Sequence, residues 1–96
     1  MRYSHIIFIV LGMTISTLSY AGQIEYDDCI LKYLKNAKLD VATHFIKMAC
    51  KENFKNPSFI SSNRKAYNSC LLENLVGVES LPAVMEISSA CSSKHK

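Results

Sequence analysis

The chain has 96 residues, four cysteines, no tryptophan, and eleven Lys/Arg against eight Asp/Glu. A net charge of +3 is too small to argue for nucleic acid. The length suits one domain, and no low-complexity run interrupts it.

The first 21 residues differ from the rest. Arg2 and His5 precede an apolar run through Val10 and on to Ile15, and Ser19-Tyr20-Ala21 places small residues before a cut. This is the pattern of a secretory signal peptide over residues 1–21. It is shorter and more polar than the roughly 20 apolar residues of a spanning helix. The mature chain would then be residues 22–96, with ten Lys/Arg against eight Asp/Glu and a charge of +2. A core of that size rarely supplies more than about 3–5 kcal/mol, so small exported domains add staples. Cysteines in an exported chain are expected to be oxidised.

Periodic apolar residues predict four helices. The first runs from Glu25 to Asn36, with Asp27 and Asp28 in its first turn, where acid suits the helix dipole. The second runs from Val41 to Phe54, with Asp40 as N-cap and Ala42, Phe45, Ile46, Ala49 and Cys50 facing inward. Asn56-Pro57-Ser58 breaks the pattern. The third helix runs from Asn63 to Val76, and Gly77 suits its C′ position. The fourth runs from Leu81 to Ser92, with Ser80 as cap and Pro82 in the first turn. Ser93 to Lys96 is expected to fray.

A shift of 41 residues superimposes one half on the other: repeat one over residues 25–54 and repeat two over 63–92. Tyr26 falls on Tyr67, Cys29 on Cys70, Leu31 on Leu72, Ile46 on Ile87, Ala49 on Ala90 and Cys50 on Cys91. The cysteine pairs are centred on the turns, at 39.5 for Cys29 and Cys50 and at 80.5 for Cys70 and Cys91. In an antiparallel hairpin such positions face each other, roughly 16 Å from the turn. Symmetry and geometry therefore favour Cys29–Cys50 and Cys70–Cys91, although four cysteines allow three pairings. The fold class is all-α: four short helices as two tandem helical hairpins, each closed by one disulfide.

Candidate chemistry is sparse. Thiolate zinc sites use cysteines two to four residues apart, and none here has a near neighbour, so no metal and no cofactor is expected. No Cys-x-x-Cys motif supports redox catalysis. His44 and His95 lack an obvious nucleophile and orienting group. Neighbouring carboxylates such as Asp27 and Asp28 do not face each other on a helix. No catalytic residue is assigned and the chain is expected not to be an enzyme. Lys32, Lys35 and Lys38 step along the first helix, and Lys47, Lys51 and Lys55 along the second, giving repeat one a basic outer surface. The connection after Phe54 carries Phe59 and Ile60 among polar residues. Those groups either seal the core or anchor a partner. The candidate partner-binding residues are Phe54, Phe59, Ile60, Lys32, Lys35, Lys47 and Lys51.

Tyr26-Asp27-Asp28-Cys29-Ile30-Leu31, followed by Asp40-Val41-Ala42 and then Ile46, Ala49 and Cys50, resembles a motif of small exported bacterial proteins. Repeat two departs from it, since Leu81 and Pro82 replace the Asp-Val step. The resemblance implies a periplasmic or secreted helical module, and it carries no catalytic residue across. In size, export and class the chain is also similar to small helical periplasmic immunity proteins. Together these features point to a non-enzymatic, periplasmic or secreted protein that binds another protein, with an immunity or inhibitor role as its most concrete form. The alternative is an envelope-associated structural protein held at the membrane by a retained N-terminal segment.

Overall fold

The computed structural model describes residues 22–96; the leader expected over residues 1–21 lies outside the described residues. Helix α1 covers residues 22–33 and ends in a 3-10 turn, Leu34–Asn36. Helix α2, Asp40–Cys50, runs directly into a π turn, Lys51–Lys55. A 3-10 turn, Pro57–Phe59, leads to α3, Ser62–Asn74, and α4 follows at Leu81–Lys94. Among the described residues there is no strand. Over the described residues the fold is all-α with four helices, and its two disulfides join Cys29 to Cys50 and Cys70 to Cys91.

Local chemistry sets most helix ends. Ser61 caps α3 by accepting from the Arg64 N–H at 3.1 Å, and Ser80 caps α4 by accepting from the Ala83 N–H at 3.3 Å. Pro82 occupies the first turn of α4, where no N–H is needed. Gly77 takes φ +81°, a left-handed turn that a side chain disfavours, but α3 ends at Asn74 with Leu75 as C-cap, so Gly77 sits one position beyond C′ rather than at it. Two expectations are corrected. Asp40 is not the N-cap of α2: Leu39 holds that position in extended backbone with no side-chain capping bond, and Asp40 is the first helical residue. Asp27 and Asp28 lie beyond the first turn of α1, because the helix already runs at residue 22; Asp27 instead accepts from Gln23 Nε2 at 2.9 Å.

Each disulfide ties the two arms of one hairpin at the end away from its turn. The Cα atoms are 5.7 Å apart in both, within the range that a bridge needs, and both pairs are 21 residues apart in sequence. The core forms where α2 meets α3. Ala42, Ile46, Ala49 and Cys50 contribute from α2, Leu71 and Leu72 from α3, Leu75 from its end, and Val84 and Cys91 from α4. Tyr26, Ile30, Tyr33 and Leu34 pack against this cluster from the first arm.

The sequence repeat is not a repeat of burial. Leu72 is 3 % exposed, whereas its counterpart Leu31 is 67 % exposed. Ala49 is buried, whereas its counterpart Ala90 is exposed. Packing in tandem explains the difference: α2 and α3 meet in the middle, and α1 and α4 are each bound to one of them by a disulfide. The C-terminal tail departs from its expected fraying. Helix α4 continues to Lys94, His95 is half-buried, and Asn63 Nδ2 donates to the Lys96 backbone oxygen at 2.6 Å.

Candidate interaction surface

The π turn shapes this region. Its wider loop is closed by the Asn56 N–H donating to the Lys51 carbonyl five residues back, at 3.2 Å. Nothing in Lys-Glu-Asn-Phe-Lys marks such a turn in the sequence, which suggests a regular helix through Phe54. The turn directs Glu52 and Asn53 onto α3 and Phe54 onto the α1 side.

Glu52 and Asn53 meet Arg64 and Asn68 in a polar bracket that sequence reasoning did not find. Arg64 grips Glu52 with two bonds, Nε at 2.7 Å and a terminal nitrogen at 3.2 Å. Asn68 is 1 % exposed, and both of its amide donors are used, to Glu52 Oε1 at 3.0 Å and to Asn53 Oδ1 at 2.9 Å. Asn53 in turn donates to the Lys65 carbonyl and to Ser69 Oγ. A buried amide costs stability unless it is paired, and here it is. The bracket fastens the two hairpins together through these side chains and the Lys65 carbonyl. The hydrogen bond from Arg64 holds the Glu52 carboxyl below its usual range against the opposing effect of partial burial, with Asn68 lowering it further. Arg64 also lies over the Tyr67 ring at 5.0 Å, while the Tyr67 hydroxyl shares a hydrogen bond with Ser88 on α4.

The two phenylalanines of the connection have opposite fates. Phe54 is half-buried, packs on the core and lines a recess with Cys29, Lys32 and Tyr33. Phe59 is 86 % exposed at the end of its 3-10 turn. Ile60 is half-buried beside it. Phe59 and Ile60 join Met48 from α2 in a mostly apolar cleft of about 430 Å³, edged by Lys51, Glu52 and Asn56. Met48 is itself partly exposed.

Among the other candidate residues, Lys32, Lys35, Lys47 and Lys51 are all exposed. The Lys32 ammonium rests 5.1 Å from the Tyr33 ring, and Lys55 rests 5.2 Å from that of Tyr26. Lys51 belongs to the cleft, and Lys47 precedes it by one turn on α2. Lys32 and Lys35 lie on the other arm, so the structure divides the basic residues between two places. His44 is exposed and meets Phe45 edge-on, with ring centroids 6.4 Å apart. Among the described residues no group of three or more His, Cys, Asp or Glu side chains could hold a metal ion.

The model of the family described as "Four-cysteine protein VF_A0006-like" matches residues 7–95, a span that contains all four cysteines. No curated protein and no solved structure matched the chain. The chain belongs to the Four-cysteine protein VF_A0006-like family.

Proposed function

For this member of the four-cysteine family, we propose a non-enzymatic role: a small exported module, periplasmic or secreted, that binds another protein through the cleft around Phe59. Two observations support the compartment: the two disulfides, which persist where conditions are oxidising, and the leader pattern over residues 1–21. The observation that carries the reading is the exposure of Phe59 beside the Met48–Ile60 cleft. Leaving a Phe side chain in water forgoes roughly 1.5–3 kcal/mol of burial, and the core a few residues away was open to Phe54. An exposed aromatic on a scaffold fixed by two clamps is preorganised for a partner, because little ordering entropy is lost on binding. An immunity or inhibitor role is the most concrete form of this function. It fits the small, rigid scaffold and the likeness in size and class to helical immunity proteins.

A photo-crosslinking residue placed at position 59 tests the reading. In oxidised envelope extract a discrete protein adduct should form there, and none at exposed Glu73 on α3. An adduct pattern no different from that at position 73 overturns it.

A further inference from the structure

The apolar cleft lies beside cations that form no ion pair among the described residues. Arg64–Glu52 is the only ion pair among the described residues, so the one carboxylate edging the cleft is already held by Arg64. Lys51 at the cleft and Lys47 one turn before it are exposed and make no ion pair among the described residues. The surface therefore offers one apolar recess with a positive border.

We infer that the partner presents an acidic segment here, with one large apolar side chain entering the cleft between Met48, Phe59 and Ile60 and flanking carboxylates meeting Lys47 and Lys51. The inference rests on the protein-binding reading above and names the chemistry of the partner. A cleft of about 430 Å³ falls in the range that buries a compact group. Carboxylates opposite exposed lysines speed encounter and fix register more than they add affinity.

Two other occupants fit less well. A second copy of the chain in a symmetric contact would set the same patch against itself, lysines against lysines. An anionic bilayer would meet Phe59 and the lysines, but a flat surface gains nothing from a concave recess edged by Glu52 and Asn56.

Selection of a displayed random-peptide library on the disulfide-intact protein tests this. Enriched peptides should carry net negative charge and a large apolar residue. A labelled peptide from that set should lose affinity about tenfold with Lys51→Glu and about tenfold with Phe59→Ser, and should bind more weakly as salt rises. Both positions are exposed, so folding is checked simply by circular dichroism and by the mass of the oxidised chain. Enrichment without acidic bias, or binding indifferent to Lys51→Glu, overturns the inference. So does Phe59-dependent sedimentation with phosphatidylglycerol vesicles in the absence of acidic-peptide binding. A protein crosslinked at position 59 through a neutral or basic segment would remove this inference and leave the proposed function standing. The absence of any crosslinked partner would remove the function itself.

Discussion

Hairpin one and hairpin two carry the same clamp over the same span, yet they spend their apolar residues differently. In hairpin one, the second arm faces the centre and presents Ala42, Ile46 and Ala49. In hairpin two, it is the first arm that faces the centre and presents Asn68, Leu71 and Leu72. The counterparts on the outer arms are less buried: Ile30 and Ile87 are half-buried against the core, and others are left in water or have become polar. Phe45 corresponds to Glu86, Met48 to Ser89 and Leu72 to Leu31. A stack of helical hairpins continues only if its last face remains apolar, and polar residues at the end stop it. Glu86 and Ser89 put polar residues on α4 at the positions where α2 carries Phe45 and Met48. Disulfides also free each unit from relying wholly on a neighbour for stability.

The contrast can be broken most directly at the Leu pair. Leu72→Ala should cost about 2–5 kcal/mol, as for a buried leucine, while Leu31→Ala should stay within about 0.5 kcal/mol. Urea unfolding of the two variants decides it, and equal losses would mean that the two hairpins share one environment after all. The clamps sharpen the comparison from the other side. Each closes a loop of equal length, so replacing either pair by alanine should cost roughly 3 kcal/mol in the loop-entropy view. Thermal unfolding should find the two losses similar, and a large inequality would locate the stability in one hairpin.

The smallest effect concerns the bracket between the hairpins. The folded pKa of Glu52 lies below its ordinary value near 4.5, so its contribution is present at neutral pH and fades as pH falls through that lowered value. Glu52→Gln should therefore cost under about 1 kcal/mol at neutral pH, since Arg64 is half exposed. The gap between variant and parent should close in acid. Melting temperatures measured from about pH 7 down to about pH 3 check this. A gap that persists unchanged at low pH would mean that Glu52 acts through packing rather than charge.

Much of the scaffold was legible because helix periodicity and cysteine spacing agree. Apolar residues three and four apart placed the helices, and turn-centred cysteines favoured one pairing over the others. Ser80 and Gly77 were legible for the same reason, since their backbone preferences are local. Asn68 was not. A polar residue within a helix suggests an outward face, and only Glu52 and Asn53 arriving from elsewhere make its burial tolerable. Those two arrive because of the π turn, a local rewinding with no sequence mark. Phe54 and Phe59 could not be told apart for a related reason. Which one turns inward depends on that rewinding and on the space under α1. The tail was expected to fray because its sequence is short and polar, but Cys91 pins α4 and Asn63 holds the final residue.

The disulfides have a consequence for a chain exposed to proteases. Each bond closes its hairpin into a covalent ring, Cys29 to Cys50 and Cys70 to Cys91, and the segment between Cys50 and Cys70 is a single strap joining the rings. A nick inside either ring leaves both fragments attached. A nick in the strap leaves them joined only by packing and the Glu52–Asn68 bracket. The strap holds Phe59, so the most exposed large apolar side chain among the described residues sits where a single cut would remove the covalent link between the rings, and the proposed partner, bound there, would shield it.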